Sequence, residues 1–306
     1  MSSSEENKFI VLDKTSTIKV EGDDRIQFLQ GQLTQDINLI SQSKALYAGF
    51  CNPKGRLLAF MLCYAAYDAI HIQLDSSIKE SILKKLKMYV LRAKVSLNLL
   101  EDTFTLIGFV GSQALIERDI KIPKNHLDIV QCDDLIIMRI GQDGERYQLM
   151  GEAFKVSEFI KLNFAKYSTM SVDDWNNLNI LDGIPDIYPT TQEAFIPQSL
   201  NMDLIEGINF KKGCYTGQEI VARTHYLGKV KRRMYRAFVK SASDFIPGDK
   251  ILSRNGEDIG QLVRSAKDNN EKTNLLIEIR VDQAHEGLFI KNELIEIFSE
   301  DQKRFD

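Results

Sequence analysis

The chain has 306 residues, a net charge of −4, 43% hydrophobic and 27% charged side chains. That is the composition of an ordinary soluble globular protein of about two domains, or three. The acidic balance excludes a global basic field for nucleic acid, so any such contact needs a local patch. No run of about 18 apolar residues occurs, and Met1 to Lys8 carries no apolar signal core, so a cytoplasmic protein with no membrane contact is expected. The cysteines are Cys51, Cys63, Cys132 and Cys214. Without a C-x-x-C pair they predict neither a structural zinc site nor a self-contained iron–sulfur site, and in a reducing compartment they read as free thiols.

Taken in order, Phe9 to Leu12 and Thr17 to Val20 read as strands. Gly22-Asp23-Asp24 predicts a turn and an N-cap for a helix from Arg25 to Leu33, with Ile26, Leu29 and Leu33 on one face. Gln27, Gln30 and Gln32 beside Gly31 either supply hydrogen bonds to a planar polar ligand or form a solvated helix face. Ala45 to Phe50 is a strand, followed by the turn Cys51-Asn52-Pro53-Lys54-Gly55-Arg56 with its two cations. Leu57 to Tyr67 fits a buried strand, and Ile70 to Leu74 alternates as another, with His71 inside it. Ser76-Ser77 heads an amphipathic helix over 78–90, whose lysines mark a solvated face.

Leu91 to Val95 begins a further strand. Phe104 to Val110, Ile129-Val130, Leu135 to Ile140 and Tyr147 to Met150 are strands, with helices over 111–118 and 153–164. This ββαββα-like order predicts an α+β domain with an antiparallel, ferredoxin-like sheet. A helix from Val172 to Leu181 carries the single tryptophan, Trp175, either a core anchor or a stacking platform. Residues 186–210 are rich in loops. After residue 236 the chain reads as all β, with a turn at Pro247-Gly248, a type I′ hairpin at Asn255-Gly256, and strands Ile259 to Arg264, Leu275 to Arg280 and Glu293 to Phe298. A small closed or nearly closed barrel would manage those strand edges.

Two stretches concentrate chemistry. Lys211 to Arg223 holds a thiol, cations, a carboxylate, an amide and a phenol, with Gly213 and Gly217 bracketing Cys214. Glycines there predict a tight turn, and Lys211, Lys212 and Arg223 an electropositive setting that favours thiolate, against the alternative of a buried, inert cysteine. Gly228 to Arg236 carries five cations, Lys229, Lys231, Arg232, Arg233 and Arg236. They suit phosphate or polyglutamate, or else guard a strand edge. No G-x-S-x-G elbow, P-loop or H-E-x-x-H is present, and the four histidines have no ligand spacing, so no metal site is expected. His225, downstream of Cys214, leaves a Cys–His pair conceivable.

The run Lys212-Gly213-Cys214-Tyr215-Thr216-Gly217-Gln218-Glu219 resembles the signature of the YgfZ family, relatives of the glycine-cleavage T-protein, an aminomethyltransferase. Five further blocks follow the family order: Phe28 to Thr34, Asn52 to Arg56, Leu91 to Val95, Gly183-Ile184-Pro185 and Phe195 to Gln198. The resemblance implies an α+β fold of three domains in a cloverleaf around a central hole. Residues 1–50 with about 168–235 would form a discontinuous folate-binding domain, about 51–167 a ferredoxin-like one, and about 236–306 a β-barrel. It implies tetrahydrofolate or a derivative in the central channel, and a role in iron–sulfur cluster assembly or repair together with regulation of tRNA modification. Its partners would be iron–sulfur proteins or their assembly machinery, and tRNA through Lys229, Lys231, Arg232 and Arg233. Cys214 would be the functional thiol, within a loop of Lys212, Gly213, Tyr215, Gly217, Gln218, Glu219 and Arg223. Folate would be held by Trp175, Gln30, Gln32, Lys54 and Arg56.

Two departures stand out. The acidic pair of the aminomethyltransferases corresponds here to Leu58-Ala59, neither able to serve as a base, which argues against glycine-cleavage chemistry. A second tryptophan, found in the tRNA-modification regulators, is replaced by Thr15. A folate-dependent aminomethyl transferase and a tRNA-binding module remain the alternatives.

Overall fold

A computed structural model of the chain describes residues 7–101, 103–142, 144–268, 271–302 and 304. Met1 to Glu6, part of the polar start noted above, lie outside the described residues. The elements in the first half are β1 (Lys8–Val11), β2 (Thr15–Glu21), α1 (Arg25–Gln30), β3 (Leu46–Cys51), β4 (Leu57–Ala66), β5 (Ala69–Asp75), α2 (Lys79–Met88) and β6 (Ser96–Leu100). Then come β7 (Phe104–Val110), α3 (Gln113–Ile116), β8 (Ile129–Cys132), β9 (Leu135–Arg139), β10 (Arg146–Glu152), α4 (Ala153–Asn163), β11 (Ser168–Thr169) and α5 (Val172–Leu181). The rest is α6 (Gln218–Leu227), β12 (Arg232–Val239), β13 (Lys250–Ser253), β14 (Asp258–Lys267), β15 (Thr273–Arg280), β16 (Leu288–Ile290), β17 (Glu293–Ile297) and α7 (Ser299–Gln302).

Two compact units emerge. One comprises Met1–Gln30, Asp36–Tyr47 and Met61–Val172, the other Gly31–Gln35, Ala48–Phe60 and Asp173–Asp306. The first contains a six-stranded sheet of order β11-β1-β7-β10-β9-β8. Its centre, β7-α3-β8-β9-β10-α4, is antiparallel as the sequence predicts, but the expected ββαββα order is met as βαβββα, with β1 antiparallel to β7 on the far side. The helices close one face over Ile107, Phe109, Ile137, Tyr147, Leu149, Val156 and Phe159, all buried. A second sheet has the order β3-β4-β5-β2-β6; β4 is apolar throughout because both its faces are covered, while β5 carries the buried polar His71 and Gln73.

The second unit holds the barrel β12-β15-β14-β13-β16-β17, closed as expected. Alternate residues of each strand point inward, so Tyr235, Ala237 and Val239 of β12 meet Leu275, Ile277 and Ile279 of β15 in the core. Among the described residues no helix is long and apolar enough to cross a membrane.

Three local expectations are corrected. Leu91 to Val95 is a turn, not a strand: Leu91 has φ +40° and is exposed, and pairing with β2 begins at Ser96. The first helix stops at Gln30, before Gly31, and Leu33 instead bridges to Phe50. The Asn255-Gly256 hairpin is not type I′, because only Gly256 takes a positive φ. Gly256 N–H donates to Ser253 O and Ser253 N–H to Glu257 O, a type I turn closed by a glycine bulge.

Candidate functional site

The signature loop lies in the second unit, where two turns are fitted together glycine to glycine. In the β3–β4 turn, Asn52 N–H donates to Arg56 O (2.8 Å) and Gly55 N–H to Asn52 O (2.9 Å). The Asn52 carboxamide oxygen accepts from Lys54 N–H (2.9 Å) and Arg56 N–H (3.0 Å). This side-chain cradle and the left-handed Gly55 (φ +69°) fix the loop. Gly217, also left-handed (φ +82°), caps the start of α6. A Cβ on Gly217 would stand 2.4 Å from Asn52 O and 2.9 Å from Gly55 Cα, and one on Gly55 2.9 Å from Ile220 Cβ. Only glycines permit that approach. Gly213 differs: its φ lies outside the left-handed region and a Cβ there would meet open space.

Lys212 is buried rather than poised in solvent beside the thiol. Its Nζ donates to Leu33 O (2.6 Å) and Gln35 O (3.0 Å) and lies 5.0 Å from the Tyr215 ring centre. Leu33 to Gln35 is stitched further by Thr34, whose hydroxyl donates to Gly207 O (2.6 Å) and accepts from Gly49 N–H (2.7 Å). Lys212 thus closes a clamp on a strand-like segment far away in sequence. Tyr215 is buried, and burial, with the Cys51 thiol nearby, pushes its hydroxyl above the ordinary phenol range. Cys51 and Cys63 are buried and desolvation pushes each thiol up to about 12. Cys132 is partly buried and shifted the same way. Cys214 alone among the four is exposed. It stands in irregular chain just ahead of the turn into α6, not inside that turn.

Gln218 is partly buried, with its carboxamide reaching Gly213 O at 3.5 Å, while Glu219 and Arg223 are exposed on α6. Glu219 in the first turn suits the positive end of the helix. His225 lies in the last turn of α6, stacked on Phe210 (3.7 Å between ring centres, 11°), so the conceivable Cys–His pairing is not what orients it.

The remaining folate candidates are dispersed. Lys54 and Arg56 are exposed on the β3–β4 turn, with the Arg56 guanidinium donating to Ala194 O (2.6 Å). Gln32 belongs to the second unit, and its Oε1 is buried with no hydrogen-bond partner among the described residues. Gln30 belongs to the first unit and is turned onto its own loop, its amide donating to Asp36 (3.0 Å) and accepting from Ile37 N–H (2.8 Å). Trp175 is buried in α5. Leu58 and Ala59 are buried in β4, and Thr15 pairs opposite Asp75 between β2 and β5.

The basic run is largely neutralised from within. Arg232 pairs with Glu278 (3.0 Å), a carboxyl that burial pushes up against the opposing pull of Arg232 and Arg56. Arg233 makes a fork to Asp203 (2.6 and 2.9 Å) and donates to Gln198 O (3.0 Å). Arg236 embraces Asp301. Lys229 and Lys231 are the cations of the run left exposed.

Sequence reasoning missed the polar network that moors α5 to the barrel. Arg264 donates to Asn176 Oδ1 (2.8 Å) and Asp186 (2.9 Å), Asn177 to Lys267 O (2.7 Å), and Asn274 to Asn177 Oδ1 (2.9 Å). The signal available was Asn176-Asn177, poor helix formers in mid-helix. Among the described residues no group of three or more His, Cys, Asp or Glu side chains could hold a metal ion.

No protein-family model matches the chain. It is 33% identical over 230 residues to the tRNA-modifying protein YgfZ of Hamiltonella defensa, covering 74% of this chain and 68% of that protein. It is 33% identical over 257 residues to the tRNA-modifying protein YgfZ of Colwellia psychrerythraea, covering 82% and 78%. The protein of that name from Yersinia pseudotuberculosis is 30% identical over 229 residues, covering 74% and 69%. Among solved structures, the glycine cleavage system aminomethyltransferase T from Bartonella henselae superposes with a TM-score of 0.74 at 14% identity, over 98% of this chain and 87% of that one. That likeness establishes a shared fold.

Proposed function

The chain belongs to the YgfZ family, and from that premise we propose that it is a folate-binding accessory protein for iron–sulfur cluster assembly or repair, linked to tRNA modification, with Cys214 as its working thiol. The observation that carries this reading is the contrast among the cysteines: Cys51 and Cys63 are sealed in protonated form by burial, and Cys214 is presented to solvent on a loop held by two interlocked turns. The clamp by Lys212 and the packing of Gly217 on Gly55 hold the chain on either side of the thiol, so its position costs no ordering when a partner arrives. A single thiol cannot enclose a cluster, so a cluster would be a cargo shared with a partner protein.

The residues fit a pterin in one respect. The buried Gln32 Oε1 lacks a donor among the described residues, and a pterin ring edge is rich in N–H groups. Gln32 would then accept from the ring, Trp175 would lie beside it, and Lys54 and Arg56 would meet its glutamate carboxylates. Bound tetrahydrofolate would supply an electron-rich ring able to carry a one-carbon unit or reducing equivalents. Leu58 and Ala59, buried and apolar, offer no carboxylate for aminomethyl transfer, so glycine-cleavage chemistry is not part of the proposal.

Titration with tetrahydrofolate tests the binding, followed by Trp175 emission and calorimetry. Saturable binding weakened in Gln32→Leu is expected, and absence of binding by both methods overturns the folate assignment. For the thiol, growth under oxidative stress with Cys214→Ala in place of the natural chain should fail, and unimpaired growth removes Cys214 from the mechanism. A direct tRNA contact is a second reading, carried by the exposed Lys229 and Lys231. Their replacement by glutamate should abolish retention on tRNA, and unchanged retention discards it.

A further inference from the structure

The solvent side of α6 is not the polar face that an amphipathic helix normally shows. Residues at i, i+4, i+7 and i+8 share one side of a helix, and here they are Glu219, Arg223, Tyr226 and Leu227. Val221, on the opposite side, is buried. On the outer side Tyr226 is 64% exposed and Leu227 82%. Tyr226 is nevertheless held in place. His225 meets its ring edge-on, with 4.8 Å between ring centres at 78°. His225 is itself stacked on Phe210, and the Tyr226 hydroxyl donates to Phe210 O (3.5 Å). The three rings form one unit whose outermost member is braced by the others and still open to solvent. A flat partner can lie on such a ring without first ordering it.

The charges around the rings are mostly of one sign. Lys211, Arg223, Lys229 and Lys231 are exposed, and among the described residues none has an ion-pair partner. Arg232, Arg233 and Arg236 differ, because Glu278, Asp203 and Asp301 meet their charges. From Leu204 to Lys231 the chain carries two carboxylates, Glu206 and Glu219, against those four open cations. An open aromatic ring among unpaired cations suits a polyanion built of flat units. Single-stranded nucleic acid supplies both parts, phosphates for the cations and unpaired bases for the ring. An acidic peptide matches the cations alone.

We propose that the end of α6 is a stacking platform for an unpaired base of RNA. The base lies on Tyr226, His225 and Phe210 support that ring, and Lys211, Arg223, Lys229 and Lys231 contact the flanking phosphates. All of these residues belong to the second unit. The proposal rests on the tRNA reading above and deepens it: cations alone hold any polyphosphate chain, whereas the platform selects unpaired nucleotides. Fluorescence anisotropy of the full chain tests it with a labelled oligouridylate of about 12 nucleotides. The comparison probes are an abasic oligomer of the same length and polyglutamate as competitor. The oligouridylate should bind saturably, with a log–log salt slope of about −3 for four phosphate contacts. The abasic oligomer carries the same charge and should bind at least tenfold more weakly. Tyr226→Ala should weaken oligouridylate binding about tenfold and leave the abasic oligomer unaffected, while Tyr226→Phe should bind as the natural chain does. An unchanged melting temperature of Tyr226→Ala verifies that the fold is kept. Equal binding of the two oligomers, or full binding by Tyr226→Ala, overturns the platform and leaves the contact through Lys229 and Lys231 standing. Polyglutamate competing as well as oligouridylate also overturns it, assigning the surface to an acidic protein. Absence of binding by both oligomers overturns the platform and the tRNA contact together.

Discussion

Gly217→Ala and Gly213→Ala are the same chemical change four positions apart in one motif, and the structure gives them opposite outcomes. At Gly217 the new Cβ must accept a left-handed φ of +82°, which costs a non-glycine residue about 1–2 kcal/mol. It must also displace a backbone carbonyl, Asn52 O at 2.4 Å, in a turn braced by four hydrogen bonds, and overpacking of that kind costs about 1–3 kcal/mol. A total of about 3 kcal/mol follows, which for a unit of this size lowers the melting temperature by roughly 6–12 °C. The loss is local to the interlocked turns, so a second readout is alkylation of Cys51, buried close to Tyr215. Easier opening by about 3 kcal/mol should speed native-state alkylation about a hundredfold. Gly213→Ala meets neither obstacle and should stay within about 0.5 kcal/mol of the natural chain. Equal effects of the two substitutions, or a Gly217→Ala protein as stable as its parent, would refute the glycine-to-glycine account of the loop.

Lys212→Met should cost about 2–4 kcal/mol in thermal unfolding, because Leu33 O and Gln35 O lose their donor in a buried setting; a loss under 1 kcal/mol would show that the clamp is not structural. Arg233→Ala should destabilise by about 2–4 kcal/mol through the fork to the half-buried Asp203, whereas Lys231→Ala should stay within about 0.5 kcal/mol. A double-mutant cycle with Asp203→Asn measures that coupling. His71, stacked between Tyr64 (5.1 Å) and Phe104 (5.8 Å), is lowered by burial to about 4. The folded state therefore holds it neutral while the unfolded chain takes up a proton below about pH 6.5. Its contribution is present above that pH and is lost as pH falls toward 4, by up to about 3 kcal/mol. In His71→Phe the fall in denaturant-measured stability over that window should be shallower, and an unchanged slope would exclude His71 as its source.

The elements were legible where pattern and environment agree. The antiparallel strands and helices of the first sheet, the apolar β4 and the barrel strands follow from period and turn residues, because their hydrophobic faces have one place to go. The failures are places where distant partners decide. Leu91 to Val95 has strand-like residues, but β2 ends its pairing with Ser96. The Asn255-Gly256 dipeptide is compatible with two hairpin turns, and the position of Glu257 in the ladder selects between them. At the candidate site, the thiol and the glycines were visible as a cluster, yet the destination of each cation was not. Lys212 finds carbonyls some 180 positions earlier in sequence, and Arg232, Arg233 and Arg236 find Glu278, Asp203 and Asp301, none of which is adjacent in the chain.

That redistribution changes what the signature motif is for. A cysteine flanked by lysines and arginines invites the inference that the charges tune the thiol. Here Lys212 serves backbone carbonyls, Gly217 serves the approach of a neighbouring turn, Tyr215 is buried near Cys51, and Gln218 closes back on Gly213. Most of the motif is thus accounted for by architecture. Cys214, Glu219 and Arg223 are the members whose side chains the fold leaves exposed. Under the proposed function, a loop whose neighbours are so heavily constrained, and whose one nucleophile is left in the open, would present that nucleophile to a partner outside the chain. The separable test follows directly: Cys214→Ser should leave unfolding within about 0.5 kcal/mol of the natural chain, while abolishing whatever activity the thiol supports.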